Sequence, residues 1–243
     1  MGLPIFLGKY ESYDSALESR QNFTGVPYES KRWLERQKSF LVEASNGRAS
    51  RPSSLLEILL NGKFQTIVDF GGGSGWLFEF IRTKIEISAY TVIELSTTCE
   101  AFSPEHIERV NFSYMESSTA GISNLKKSEV FYSNSTLQYI PLRSVFLDSI
   151  RMCQPELIIL DDLTCSVDET FYSLQRYYDS ALIYCFHSKA EILRLFEDLG
   201  YTLKSESNYP VIKDSKMDWV LIQGENLYRE LPTPKTYTFV KSQ

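Results

Sequence analysis

The stretch Thr66-Ile67-Val68-Asp69-Phe70-Gly71-Gly72-Gly73-Ser74-Gly75-Trp76 limits what this chain can fold into more than any other. Ile67 and Val68 are β-branched and apolar, as the central strand of a sheet covered on both faces requires. Asp69 ends that strand. Gly71, Gly73 and Gly75 alternate after it, with Gly72 inside the run. Glycine permits positive φ and leaves no Cβ between the backbone and a ligand. Leu77, Phe80 and Ile81 follow at helical spacing, so a helix begins at the turn with its first N–H groups uncommitted. Such a strand–turn–helix unit lies at the carboxyl end of a strand, where open α/β sheets bind ligands.

From residue 65 the pattern alternates strand and helix. Strands are expected at 65–70, 89–94, 110–115, 130–133, 157–160 and 201–205. Helices are expected at 75–82, at 97–102, around Leu142, Val145, Phe146 and Ile150, and after a Ser188-to-Glu191 capping box. The tail offers strands at 219–222 and 237–240, the second as the closing strand. Repeated β-α units imply an α/β fold: a Rossmann-like, mostly parallel seven-stranded sheet with helices on both faces. Residues 1–62 read as an N-terminal helical extension or cap, ahead of a sheet domain at 63–243. In it Ser12 caps a short helix, and Trp33, Leu34, Phe40 and Leu41 share one stripe of a longer one. Residues 55–60 form a third helix, with Gly62 as its closing C′ glycine. Residues 162–187 show no clean period. Tyr172, Tyr177, Tyr178 and Tyr184 make them an aromatic lid or substrate loop rather than a disordered one.

The formal net charge is −6, and no basic run is dense enough for a phosphate groove, so no nucleic-acid partner is expected. The four cysteines are scattered without a Cys-x-x-Cys pair. That spacing favours free thiols in a reducing cytosol over zinc or a disulfide framework. No signal-peptide pattern is evident, and no apolar run approaches the roughly 18 residues of a membrane span. A cytoplasmic protein is therefore expected, with its oligomeric state open.

Three nucleotide-type turns compete for the glycines. A phosphate-binding P-loop needs a lysine after its last glycine, and Trp76 and Leu77 stand there. The dinucleotide fingerprint needs a third glycine where Trp76 or Phe78 stands. Asp-x-Gly-x-Gly-x-Gly after a first strand resembles motif I of class I S-adenosylmethionine-dependent methyltransferases. Glu94, at the end of the second strand, resembles that superfamily's ribose-binding acid. A carboxylate accepts two vicinal hydroxyls with charge-assisted strength. The resemblance implies S-adenosylmethionine as cofactor. It would be held by Asp69, Gly71, Gly72, Gly73, Gly75, Glu94 and Leu95, with Met115 against the adenine, Glu116 at its polar edge, and Asn134 and Ser135 beside the methyl-donor end.

A closer resemblance runs through Gly8–Ala16, Val68–Gly75, Val92–Leu95, Ser133–Tyr139, Leu160-Asp161 with Thr164, and Phe186–Glu191. In this order the segments resemble a bacterial family of methyltransferases associated with surface-polysaccharide synthesis. Ser135-Thr136-Leu137-Gln138-Tyr139 is its most specific element. Asp162 and Cys165 depart from the family pattern around Thr164, so the acceptor pocket is expected to differ. The implied activity is O-methylation of a sugar or glycan precursor, a small-molecule or glycan acceptor. The alternative from another class is a non-catalytic scaffold on the same fold. Methyl transfer asks the protein mainly to align the acceptor and exclude water. A base helps an oxygen acceptor. Asp162, His187, Gln138 and Gln175 are the catalytic candidates. Asp161 and Asp162 lack a third ligand, so no metal site is expected.

Overall fold

The computed structural model describes every residue except 1–5, 22, 24–27, 29, 49–52, 63, 107–109, 116–121, 123, 141–142, 178–179, 211–219, 224–225, 231–232 and 243. Side chains are further left undescribed at 105–106, 143–144, 220–223 and 226–230. In chain order the elements are β1 (Phe6–Tyr10), α1 (Tyr13–Arg20), α2 (Lys31–Ser45), α3 (Leu55–Asn61), β2 (Thr66–Phe70), α4 (Trp76–Ile81), β3 (Ala89–Glu94) and α5 (Ser96–Phe102). Then come β4 (Asn111–Tyr114), β5 (Val130–Asn134), α6 (Arg143–Cys153), β6 (Leu157–Leu163), β7 (Cys165–Ser166), β8 (Phe171–Tyr177) and β9 (Ser180–Ser188). The chain ends through α7 (Lys189–Asp198), β10 (Tyr201–Asn208), β11 (Val220–Gln223), β12 (Asn226–Glu230) and β13 (Lys235–Lys241).

The central sheet has seven strands in the order β10-β13-β6-β5-β2-β3-β4. β6, β5, β2, β3 and β4 run parallel, and β13 closes antiparallel between β6 and β10. The alternation of β2 explains the two cores. Val68 and Phe70 face a cluster with Phe131, Phe146, Ile158 and Phe196. Ile67 faces the opposite cluster with Leu77, Ile81, Val92 and Ile159. Strand order reverses between β5 and β2. The switch point of the sheet therefore opens between their carboxyl ends, where an open α/β sheet forms its crevice.

Four expectations need correction. Residues 162–187 are not irregular. They form β7, β8 and β9, and β8 pairs antiparallel with β9 from Phe171↔Phe186 to Tyr177↔Ser180. The N-terminal stretch is not all helical either. β1 inserts between β11 and β8 in a second sheet, ordered β12-β11-β1-β8-β9-β7. One hairpin face packs Phe171, Tyr184 and Phe186 with Phe6. The other packs Leu174, Ala181 and Ile183 with Ala16 of α1. Both faces are covered, so no polar–apolar alternation marks these strands in the sequence.

The third correction is at α7. Ser188 makes no side-chain cap. Its N–H donates to Thr170 Oγ1 at 2.8 Å, and the Thr170 hydroxyl in turn donates to Glu191. Thr170 thus takes both groups of the expected box. Ser12 does cap α1, accepting from Ser15 N at 3.1 Å. Gly62 ends α3 as its C-cap in an extended conformation, φ −113°, rather than as a left-handed C′ residue.

Candidate functional site

The glycine turn sits where the sheet switches direction. Gly71, Gly73 and Gly75 all adopt left-handed φ, at 76°, 59° and 72°. A Cβ at any of the three would be strained. A side chain on Gly71 would run into Thr136, in the turn after β5, and one on Gly73 into Gln37 of α2. One on Gly72 would lie 2.5 Å from Asp69 Oδ2. The protein itself therefore fills much of the space the glycines open.

Two buried carboxylates order the turn from below. Asp69 accepts from Tyr90 OH at 2.7 Å. Burial pushes its pKa up to about 7, against the pull of the Tyr90 hydrogen bond and with help from the charge of Glu94. Glu94 accepts from Gly73 N at 3.1 Å through one oxygen and from Leu95 N at 2.7 Å through the other. Burial pushes its pKa up to about 7 as well, and those two backbone bonds oppose the rise. A carboxylate offers about four acceptor positions. The two backbone bonds occupy one on each oxygen and leave one on each, which fits a vicinal diol. Nearby, in the first turn of α5, the Thr97 and Thr98 hydroxyls are buried and have no hydrogen-bond partner among the described residues. The chain thus holds a strand-end acid with spare acceptors and unspent hydroxyls behind it, as a ribose-bearing cofactor would use. Met115 donates its N–H to Glu94 O at 2.6 Å and packs, half-buried, against the core. Glu116 lies outside the described residues.

Sequence reasoning missed Gln37. It is buried on the stripe of α2 that also carries Trp33 and Ala44. Its Oε1 accepts from Ser74 N at 3.1 Å, and its carbonyl accepts from Ser74 Oγ at 3.0 Å. The available signal was an amide standing inside an otherwise apolar helical stripe. A buried amide needs partners.

Across the crevice, β5 and β6 end in a second strained pair. Ser135 (φ 54°) and Asp162 (φ 55°) are both left-handed without being glycine. Such backbone persists only where the surroundings hold it. The Ser135 hydroxyl donates to Asp162 Oδ2, and Ser135 N donates to Asp161 O at 3.0 Å. Gln138 Nε2 donates to Asp162 O at 3.1 Å. Asn134 Nδ2 donates to Tyr132 OH at 2.9 Å. Asp161 points elsewhere: it accepts from Ser54 N, Ser54 Oγ, Tyr132 OH and Thr236 Oγ1 at 2.6–2.8 Å. It joins the start of α3 to β5, β6 and β13.

Gln175 Oε1 accepts from Tyr139 OH at 2.7 Å, linking β8 to the turn after β5. His187 is held apart from this pair. Its Nδ1 lies 3.2 Å from Cys185 Sγ and its Nε2 3.3 Å from Leu137 O, so both ring nitrogens are engaged inside the protein. All four cysteines are free and buried. Among the described residues no cluster of three or more His, Cys, Asp or Glu is placed to hold a metal. No helix among them is long and apolar enough to cross a membrane.

No protein-family model and no curated protein matches the chain. Solved structures do match in fold. The 1,6-didemethyltoxoflavin-N1-methyltransferase of Burkholderia thailandensis, bound to 1,6-didemethyltoxoflavin and S-adenosylhomocysteine, superposes with a TM-score of 0.54. It is 14% identical over 95% of this chain and 89% of its own. A Listeria monocytogenes protein assigned to the S-adenosylmethionine-dependent methyltransferases has a TM-score of 0.54 at 12% identity, over 78% of this chain and 97% of its own. An S-adenosylmethionine-dependent methyltransferase of Mesorhizobium loti has a TM-score of 0.51 at 9% identity, over 77% and 96%. The fold is that of the class I methyltransferases, as the strand order and the closing antiparallel β13 already indicate.

Proposed function

We propose that this chain is an S-adenosylmethionine-dependent methyltransferase of the bacterial cytoplasm that O-methylates a sugar or glycan precursor of a surface polysaccharide. The observation that carries the cofactor assignment is Glu94. It stands at the end of β3, tied to the glycine turn through Gly73 N, with one acceptor position spare on each oxygen. The sugar acceptor is supported by the resemblance of residues 135–139 to the polysaccharide-associated family.

Bound here, S-adenosylmethionine would supply a methyl group activated on sulfonium sulfur. The chain's part is placement. Glu94 accepts the ribose hydroxyls. Leu95 and the glycine turn of Gly71, Gly72, Gly73 and Gly75 line the remainder, and Asp69 stiffens that turn from behind. Met115 would pack on the adenine. Asn134 and Ser135 border the methyl-donor end. The Asp162 carboxylate, oriented by the Ser135 hydroxyl while Gln138 holds the Asp162 backbone carbonyl, takes the proton of the acceptor hydroxyl, and Gln175 orients the acceptor. His187 braces the turn after β5 through Leu137.

Calorimetry with S-adenosylhomocysteine and with NAD tests the assignment. Binding of the first alone is expected. NAD binding alone overturns the cofactor, and binding of neither favours a scaffold. Glu94→Ala should weaken S-adenosylhomocysteine by about 1.5–3 kcal/mol, the range of hydrogen bonds to a charged group. Unchanged affinity in a folded variant refutes the ribose role. Hydroxyl donors prefer the ionised carboxylate, so wild-type affinity should climb as pH rises through about 7.

A further inference from the structure

We propose that α2 is a strap over the cofactor crevice, and that in the free protein the Gln37 amide holds the Ser74 N–H that a carboxylate oxygen of the bound cofactor takes. The inference rests on the methyltransferase reading and adds to it a device that governs entry.

The glycine turn is covered. Gly72, Gly73, Ser74 and Gly75 are all buried. Two side chains lie where the missing Cβ atoms would be. Thr136 fills the face of Gly71, and its hydroxyl donates to Asn134 O at 2.9 Å, so it belongs to the end of β5 and the turn that follows. Gln37 fills the face of Gly73 and arrives from outside the sheet, on α2.

That helix is lightly fastened. Of its 15 residues only Trp33, Gln37 and Ala44 are buried. Trp33 packs in an aromatic cluster with Tyr28 and Tyr177, at centroid distances of 4.9 and 6.1 Å. Phe40 meets Trp76 at 6.3 Å. An element with so few buried side chains opens more readily than the central strands beneath it. It lifts to admit the cofactor and closes again, and only the amide has to give way.

The bond it gives up is a neutral one. Gln37 Oε1 accepts from Ser74 N at 3.1 Å, and Gln37 O accepts from Ser74 Oγ at 3.0 Å. A carboxylate oxygen in place of Oε1 makes a charge-assisted bond, roughly twice as strong. The sheet order says which end of the cofactor comes here. β4, β3, β2 and β5 lie side by side. With adenine beside Met115, after β4, and ribose on Glu94, at the end of β3, the amino-acid end crosses the turn after β2. That end carries the carboxylate. Glu94 already accepts from Gly73 N, so the ribose acid and the Ser74 donor meet neighbouring residues of the turn.

Methylthioadenosine is the control, because it has the adenine, ribose and sulfur of S-adenosylhomocysteine without the amino-acid carboxylate. In calorimetry on the full chain, Gln37→Ala should bind S-adenosylhomocysteine about three- to tenfold tighter than the wild type does, the factor one neutral hydrogen bond carries, and methylthioadenosine within about twofold of it. Gln37→Met removes the same acceptor and should shift affinity the same way should Gln37→Ala fail to fold. A purely structural Gln37 predicts the reverse, since a loosened turn weakens both ligands. Unchanged or weaker S-adenosylhomocysteine binding in a folded variant, or equal tightening of both ligands, overturns the role of the amide. In hydrogen exchange on the wild type, amides of 31–45 should exchange faster than those of 66–70 and slow when S-adenosylhomocysteine binds. Exchange at 31–45 as slow as in β2 overturns the strap. Binding of neither ligand by wild type or variant sinks the methyltransferase reading and the role of the amide with it, while exchange in the free protein still decides the strap.

Discussion

Asp69 and Glu94 are both buried carboxyls whose pKa values stand at about 7 in the folded chain. In an unfolded chain such groups titrate near pH 4. The sign follows from proton counting. Between about pH 4 and pH 7 the folded protein keeps a proton that the unfolded chain has lost, so raising the pH favours unfolding across that window. Below it both states are protonated, and above it both are ionised with the cost fully present. Asp69→Asn keeps an acceptor for Tyr90 OH and carries no charge at any pH. Thermal melts at pH 5, 6, 7 and 8 should show the wild type losing stability across the series and Asp69→Asn losing less. Parallel curves would show that Asp69 ionises elsewhere. The sequence marked both residues through strand position. It did not mark Tyr90, because a tyrosine in a strand reads as packing until its hydroxyl is seen against a carboxylate.

Helix α2 shows how an element can be legible in outline and hidden in purpose. Its apolar stripe was readable, and Trp33 stands on it as expected. What the stripe packs against was not readable, since α4 and the glycine turn lie a whole helix and strand further along the chain. One helical turn separates Trp33, in the aromatic cluster, from Gln37, on the glycine turn. A single helix therefore touches both the aromatic cluster and the glycine turn. Gln37→Met keeps the side chain's length and removes the acceptor from Ser74 N, which is fully buried. The expected loss is about 1–2 kcal/mol for an unsatisfied buried donor. In a chain of this size that lowers the melting temperature by about 2–8 °C. An unchanged melt would mean the turn holds its shape without α2.

The two sheets differ in what built them, and so in how visible they were. The central sheet grows from neighbouring β-α units, each strand an apolar run between local breaks, and its strands and closing strand could be read in order. The second sheet is assembled from distant pieces. β1 pairs parallel with β11 through Phe6↔Leu221 and antiparallel with β8 through Phe6↔Gln175. The β1–β8 register shifts between Leu7 and Tyr10, around left-handed Gly8. No local pattern announces such partners. That same topology predicts what removing β1 does. Without residues 1–10, β8 and β11 each lose a neighbour, and two bare edges invite association. Phe6 also leaves its place against Tyr184 and Phe186, at centroid distances of 4.9 and 5.1 Å. The central sheet shares no strand pairing with β1, so its amides should keep their protection. Hydrogen exchange read by mass spectrometry should show 171–188 exchanging faster in the truncated chain while 66–70, 89–94 and 130–134 stay slow. S-adenosylhomocysteine affinity should be retained. Equal acceleration in both sheets would show instead that the N-terminal strand stabilises the molecule as one cooperative unit.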